Sequence, residues 1–227
     1  MPLAARLAFV IATAAHLAAP VHAQTADDSL RVYAVNVVKT APFENRFTGD
    51  GIYLGQGVVI TAAHVVGHWP SLTHPHILIA GQDLPAKLIK EGSFEEVDLA
   101  LLSVDQARLP VSLQLRRNPL CQQAPKIGME VVNVAPEATT RSQVISPLFI
   151  APELRGKFGT LIDGPKMSGS GLFDAERKCL VGIMSAKVAK YDNQTRRWRL
   201  TGNTGGFAGY FVPAAKIANF IPTDVHY

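Results

Sequence analysis

The sequence predicts an all-β fold, and three observations support that prediction. Short apolar runs follow one another along the chain, and Gly, Pro, Asp or Asn residues separate them. Helical patterns are sparse. The composition, 48% hydrophobic and 18% charged, is that of an ordinary globular protein. Regular short strands with turn residues between them are typical of β-sandwiches and β-barrels rather than of alternating strand–helix units.

Candidate strands are divided evenly between the two halves of the chain. A chain of this length forms one β domain or two small β lobes. The stretch 107–125 is largely polar and contains three prolines, so we place a lobe boundary there and predict lobes at 24–118 and 119–227. The candidate strands are 31–38, 51–54, 57–61, 77–80, 86–90, 99–104, 130–134, 142–145, 171–173, 179–186, 198–200 and 209–212.

Helix is predicted in two short stretches. Residues 62–67 are long enough for one turn. Residues 212–221 carry apolar side chains at helical spacing, with Pro213 near the start, where its missing N–H is harmless. The stretch 191–206 is interpreted as a loop insertion before the last strand.

The first 23 residues have the pattern of a secretory signal peptide. A single basic residue, Arg6, precedes an alanine-rich apolar run, and Val21-His22-Ala23 resembles a cleavage site. The run is too short for a membrane span, and no other stretch approaches the roughly 18 apolar residues that a span needs. We predict cleavage after Ala23, giving a secreted or periplasmic protein without a membrane span; an uncleaved anchor is the alternative.

The charge balance is mildly basic. The chain has 22 basic and 18 acidic residues, a formal net charge of +4, which falls to +3 (21 minus 18) when Arg6 is removed. The segment Arg196-Arg197-Trp198-Arg199 is interpreted as a solvated loop rather than as a nucleic-acid site. We therefore predict no nucleic-acid partner.

The chain contains two cysteines, Cys121 and Cys179. In an exported protein an even number of cysteines indicates a disulfide. For a loop of 58 residues, chain entropy gives about 4 kcal/mol of stabilisation. Two free buried thiols are the alternative.

Three stretches carry side chains suited to nucleophilic catalysis. A Gly-rich turn at 163–174 presents Ser168 and Ser170, and a serine needs an adjacent base that a third group orients. His64 follows an apolar strand and two alanines. Asp98 begins an apolar run, where a desolvated carboxylate needs hydrogen-bond donors such as an imidazole N–H.

These stretches resemble the trypsin/chymotrypsin family of serine peptidases, and its compact bacterial members in particular. The catalytic types also occur in the chymotrypsin order, His, Asp, Ser. The resemblance implies two six-stranded antiparallel barrels followed by a short C-terminal helix. The matching segments are Thr61-Ala62-Ala63-His64, Asp98-Leu99-Ala100-Leu101, Ser168-Gly169-Ser170-Gly171-Leu172, Leu180-Val181-Gly182-Ile183-Met184-Ser185 and Gly209-Tyr210-Phe211-Val212.

The resemblance also implies a role for each matching residue. Ser168 is the nucleophile, His64 is the general base and then the acid, and Asp98 orients the imidazole. The backbone N–H groups of Ser168 and Lys166 form the oxyanion hole. Ser185 matches the serine that supports the buried carboxylate.

Each assignment has a competitor. Ser170 is the second candidate nucleophile. Ser168 leaves three residues before the following strand, as the family does, whereas Ser170 leaves only Gly171. Glu95 and Glu96 are candidate carboxylates that lack the following Leu-Ala-Leu run. His64 as a surface histidine is the competing interpretation of the base.

The approach to Ser168 departs from the family pattern. Lys166 stands where the family has glycine, so a positive φ there would strain the backbone and alter the oxyanion hole. Met167 replaces the aspartate that trypsins pair with a newly cut N-terminus, and this chain lacks the matching cut site, so we predict no activation step beyond signal removal. Ile162 and Asp163 compete for the position that sets the substrate pocket, which leaves the substrate side chain open.

The sequence predicts a cofactor-free serine endopeptidase that acts on a protein or peptide substrate. The alternative is a catalytically weak homologue that uses the same scaffold as a binding module. A zinc site is conceivable from the histidines, but no thiolate or second-shell carboxylate pattern accompanies them, so no metal is predicted. The oligomeric state is not predicted. The histidines concerned are His64, His68, His74 and His76.

Overall fold

The computed structural model describes residues 27–40, 47–67, 74–146, 148, 160–163, 167–192, 197–200 and 208–227. The predicted signal peptide (1–23), Lys166 and His68 lie outside the described residues. Across these ranges, no helix has the length and apolar character needed to cross a membrane.

The first half of the chain forms a closed antiparallel barrel of six strands in the order β1-β2-β3-β6-β5-β4. Alternate residues of these strands, among them Val35, Tyr53, Val59 and Leu102, fill the interior and are almost completely buried. The strands are β1 (Ala34–Thr40), β2 (Phe47–Gly55), β3 (Val58–Thr61), β4 (His74–Ile79), β5 (Gln82–Glu91) and β6 (Ala100–Val104).

The second half forms an antiparallel sheet in the order β10-β7-β8-β9-β13-β11-β12. An additional pairing of β10 with β11 joins six of these strands into a ring, and β12 extends β11 outside it. The predicted all-β fold with two six-stranded barrels is therefore confirmed. The strands are β7 (Glu130–Val134), β8 (Thr139–Ile145), β9 (Thr160–Asp163), β10 (Gly171–Asp174), β11 (Leu180–Asp192), β12 (Arg197–Leu200) and β13 (Ala208–Pro213).

Helices are short in the described part of the chain. They are α1 (Ala63–Val66), α2 (Val111–Gln114) and α3 (Ala214–Phe220), with 3₁₀ turns at Asp28–Tyr33 and Gln106–Arg108. The predicted C-terminal helix corresponds to α3, which buries Ile217 and Phe220 against the core.

Some predicted boundaries were wrong. The first strand begins at Ala34, not at residue 31, because the preceding residues form a 3₁₀ turn whose Leu30 is buried in a core shared by both barrels. Residues 191–206 are not simply a loop, since β11 continues to Asp192 and pairs with β12. Arg197 and Arg199 accordingly lie on a strand, not in a loop.

The residues before β1 connect the two barrels. The carboxylate of Asp27 accepts hydrogen bonds from Lys178 (2.8 Å) and Arg141 (2.6 Å), and Asp28 accepts one from the hydroxyl of Thr139 (3.0 Å). Arg31 donates to the carbonyl of Pro136 (2.6 Å). The 3₁₀ turn is thus held by contacts with the second barrel.

A disulfide joins Cys121 to Cys179, whose Cα atoms are 5.1 Å apart. It fastens the connection between the barrels to the start of β11, next to a backbone bridge between Leu120 and Leu180. The predicted lobe boundary at 118/119 falls in this connection, after the last strand of the first barrel and before β7.

Candidate active site

The Asp98 side chain is buried just before β6, with 1% of the residue exposed. One carboxylate oxygen accepts a hydrogen bond from the backbone N–H of His64 (3.0 Å). The other accepts from the His64 ring nitrogen Nδ1 (2.8 Å) and from the Ser185 hydroxyl. Three donors therefore replace the water that this carboxylate loses on burial.

Burial alone would raise the pKa of Asp98, since it disfavours the charged form. The hydrogen bonds from His64 and Ser185 act in the opposite direction and prevail, so the pKa of Asp98 lies below its ordinary value. Asp98 is accordingly a buried carboxylate that stays ionised at neutral pH.

The His64 ring stands at the junction of β3 and α1. Ala62 and Ala63 beside it are buried, which fixes the backbone, whereas 35% of the histidine side chain is exposed. Its ring meets the edge of Phe94, with ring centroids 6.5 Å apart. Because Nδ1 faces the Asp98 carboxylate, it carries the proton and leaves the Nε2 lone pair available as a base.

The competing carboxylates do not share this environment. Glu95 and Glu96 are exposed, while Asp98 is buried and bonds the His64 ring. The local geometry therefore favours Asp98 as the partner of the imidazole.

The turn that carries Ser168 is held by both barrels. The backbone carbonyl of Ser168 accepts a hydrogen bond from the backbone N–H of Asp50 (3.0 Å), and the N–H of Gly169 donates to the carbonyl of Met184 (2.8 Å). Gly169 has a φ of 86°, and a Cβ at this position would clash with the carbonyl oxygen of Asp50. Only glycine combines this conformation with such a close approach.

Ser185 connects the two sides of the site. Its hydroxyl donates to Asp98, and its backbone carbonyl accepts from the hydroxyl of half-buried Ser168 (3.4 Å). Within the described part of the chain, the backbone N–H of Ser168 has no acceptor, whereas those of Gly169 and Ser170 are both used. An N–H that is left free in this way is available to a substrate oxyanion.

Ser170 is completely buried, unlike Ser168. Its hydroxyl donates to the carbonyl of Met167 (2.7 Å) and accepts from the Asn133 side chain (2.8 Å). A hydroxyl occupied in this way braces the turn and cannot reach a substrate. This contrast favours Ser168 as the nucleophile.

Sequence reasoning missed the residues that brace the turn from behind. Asn133 lies within β7 and Asp50 within β2, and both are buried. The Thr61 hydroxyl, buried beneath the turn, donates to the carbonyl of Asp50 (2.5 Å). For Asp50 the available signal was a carboxylate placed between two glycines immediately before a predicted strand.

The predicted pocket residues, Ile162 and Asp163, lie on β9, which pairs with β13. The backbone of Ile162 is paired with Gly209, and that of Asp163 with Ala208. Which of the two sets the pocket stays a prediction, as does the oxyanion role of Lys166.

Among the described residues, the one cluster of potential metal ligands is Cys121, Cys179 and Asp174. Both sulfur atoms belong to the disulfide, which leaves a single carboxylate. His76 lies elsewhere and places Nδ1 2.8 Å from Asp83 at the surface.

No protein-family model matches the sequence, and a search of curated proteins finds no match either. Solved structures do match. The Rv3671c protease from M. tuberculosis in its active form superposes with a TM-score of 0.60 and 17% identity, over 85% of this chain and 80% of that one. The MamO protease domain from Magnetospirillum magneticum gives 0.53 and 21%, over 85% and 97%.

The serine endoprotease from Yersinia pestis gives a TM-score of 0.56 at 18% identity, over 84% of this chain and 61% of that one. Two of the three are described as proteases and the third as a serine endoprotease. At identities this low, the likeness shows a shared fold, which is the two-barrel fold described above.

Proposed function

We propose that the protein is an exported serine endopeptidase that hydrolyses peptide bonds through an acyl-enzyme formed on Ser168. The observation that carries the proposal is that buried Asp98 bonds both the His64 ring and the Ser185 hydroxyl, while the Ser185 carbonyl accepts from the Ser168 hydroxyl. This arrangement supports Ser168 as the nucleophile, His64 as the base and Asp98 as the orienting carboxylate of an acyl-transfer site.

In this mechanism, Nε2 of His64 takes the proton of the Ser168 hydroxyl while Oγ attacks the substrate carbonyl carbon. The resulting oxyanion accepts hydrogen bonds from the N–H groups of Ser168 and Lys166. The imidazolium then protonates the leaving amine, and the acyl-enzyme forms. Water, deprotonated by the same imidazole, releases the acid and restores Ser168.

Asp98 supports the imidazolium in both steps. Its charge is kept by the three donors around it, so no proton needs to pass to it. The Ser168 hydroxyl points to the Ser185 carbonyl in the free protein. The Ser168 hydroxyl must give up this hydrogen bond before its proton can pass to His64, and a bound substrate that occupies the Ser185 carbonyl would favour that change.

Export is proposed from the signal-peptide pattern at 1–23, with cleavage after Ala23. The disulfide between Cys121 and Cys179 supports an oxidising compartment, which is the cell exterior or a periplasm.

The second candidate function is that of a binding module with little catalysis. The hydrogen bond from the Ser168 hydroxyl to the Ser185 carbonyl, an acceptor other than the base, is the observation that favours it.

Covalent labelling separates the two candidates. A fluorophosphonate probe reacts with an activated serine, so we expect it to label the protein and the Ser170→Ala variant but not Ser168→Ala or His64→Ala. A folded wild-type protein that resists the probe would refute the peptidase proposal. Labelling that survives Ser168→Ala would instead move the nucleophile to another residue.

A further inference from the structure

Asp50 lies directly behind the proposed nucleophile. Its backbone N–H donates to the carbonyl of Ser168 (3.0 Å), and its own carbonyl accepts from Thr61 and fills the space that a Cβ on Gly169 would need. A displacement of this residue therefore moves the turn that carries Ser168. The triad mechanism assigns Asp50 no role.

The Asp50 side chain is buried with an incomplete set of partners. The residue is 2% exposed, and its Oδ1 lies 3.5 Å from the amide nitrogen of Asn36, at the limit of a hydrogen bond. Its Oδ2 is buried with no hydrogen-bond partner among the described residues. A buried carboxyl with one weak donor is poorly suited to carry a charge.

Among the residues that the structure describes, the groups that face Asp50 include no cation. Asn36 on β1 is neutral and also donates to the carboxylate of Glu137 (3.3 Å), which approaches from the turn between β7 and β8 of the second barrel. From β3 and the nucleophile turn, Asp50 meets the Thr61 hydroxyl and backbone groups of Ser168 and Gly169. Within the described chain, the charged neighbour of Asp50 is Glu137, whose negative charge repels an ionised Asp50.

These surroundings have a predictable effect on titration. Burial raises the pKa of Asp50 to about 7, the nearby charge of Glu137 adds to the rise, and Asn36 opposes it. The neutral and ionised forms of this carboxyl are thus both accessible close to neutral pH.

We propose that Asp50 is a positioning residue for the nucleophile turn, and that a negative charge on its carboxyl displaces Ser168 from His64 and slows acylation. This inference rests on the proposed peptidase function. The charged carboxylate lacks a partner for Oδ2 and faces Glu137, and it gains solvation only if the contact between the barrels opens. The hydrogen bond from the Asp50 N–H to the Ser168 carbonyl spans that contact, so this bond breaks when the contact opens.

The first experiment measures the rate of fluorophosphonate labelling from about pH 5.5 to about pH 9.5. The alkaline side of the profile carries the comparison between variants. On the alkaline side, we expect the wild-type rate to fall by about tenfold for each pH unit above the titration of Asp50, and the Asp50→Asn variant to keep its rate. Asp83→Asn, which removes an exposed carboxyl from the same barrel, serves as the matched control and retains the wild-type alkaline loss.

Glu137→Gln supplies a second variant with little risk to folding, because Glu137 is exposed. Removing its charge lowers the pKa of Asp50, so the alkaline loss of labelling moves to lower pH. A purely structural residue would change the rate equally at every pH. Identical alkaline profiles for the wild type, Asp50→Asn and Glu137→Gln would overturn the proposal while leaving the peptidase function standing.

A second measurement does not depend on catalysis. Hydrogen exchange of the residue-50 amide reports its bond to Ser168 directly. After correction for the intrinsic rate, we expect its protection to fall by about tenfold or more on passing from pH 6 to pH 8.5 in the wild type, and to stay constant in Asp50→Asn. Constant protection in the wild type would overturn the proposal even in a protein that the fluorophosphonate does not label.

Discussion

Two buried aspartates contact the candidate active site, and their surroundings have opposite effects. Asp98 has three donors, so its pKa lies below the ordinary value. Asp50 has one weak donor and a like-charged neighbour, so its pKa rises to about 7. Both residues are almost fully buried. The comparison shows that the donors around a carboxyl, more than its burial, decide whether it is ionised.

The largest effect, on kcat/KM, is expected from removing the charge of Asp98. Asp98→Asn presents an amide to His64 Nδ1, which favours the wrong tautomer, and we expect kcat/KM to fall by about 10⁴-fold. Hydrolysis of a peptide ester measures it. Glu96→Gln, an exposed carboxyl two residues away, is the control and should leave kcat/KM unchanged; an equal loss in both variants would contradict the distinction.

Asp50→Asn should stabilise the protein at alkaline pH, in contrast to the loss of activity expected for Asp98→Asn. The folded-state pKa of Asp50 is above its unfolded value, so its stabilising contribution is complete below about pH 4 and is lost as the pH rises through about 7. At pH 8.5 the free energy of unfolding of the variant, measured by urea denaturation, should therefore exceed that of the wild type by up to about 4 kcal/mol. At pH 4 we expect no such gain. An equal difference at both pH values would contradict the pKa assignment.

Ser185→Ala tests how much one donor contributes to Asp98. Loss of the hydroxyl should lower the free energy of unfolding by about 1–3 kcal/mol. Because the pKa of Asp98 is depressed in the folded state, its stabilisation is lost as the pH falls through the folded-state pKa. With one donor fewer that pKa rises, so the stabilisation is smaller, its loss is complete at higher pH, and the less stable variant should unfold at higher pH. Acid unfolding followed by circular dichroism measures the shift. Ser170→Ala, which removes a buried hydroxyl that does not contact Asp98, is the control and should lower the free energy of unfolding by a similar amount at every pH.

The smallest effect concerns the single donor to Asp50. Asn36→Ala removes an amide at 3.5 Å, so the pKa of Asp50 should rise by a few tenths of a unit. The alkaline loss of labelling should then move to higher pH, opposite to the shift expected for Glu137→Gln. A shift to lower pH would show that Asn36 does not stabilise the Asp50 carboxylate.

The catalytic candidates could be predicted because each lies in a short contiguous segment. His64 and Asp98 were selected from such segments, and the structure brings them together through two hydrogen bonds. The bond from the imidazole was expected from the local sequence. The rival serine, Ser170, was ranked second from its spacing alone, and its burial agrees with that ranking. Local patterns were sufficient here because the chemistry is concentrated at strand ends.

The supports of the nucleophile turn could not be predicted in this way. Asp50 meets Ser168 across 118 positions of sequence (168 minus 50), and the contact arises only when the two barrels assemble. β9 was missed because it is four residues long and owes its extended form to pairing with β8 and β13. The start of β1 was misjudged because the 3₁₀ turn before it depends on the second barrel.

That 3₁₀ turn also constrains the order in which the chain becomes ordered. Its partners Thr139, Arg141 and Lys178 are synthesised more than a hundred residues after Asp27. Chains are synthesised from the N-terminus, and domains fold as they become complete. The first segment in the described structure is therefore among the last to be fixed, and its attachment signals that both barrels have formed. In a peptidase, such late closure would delay activity until the whole chain has folded.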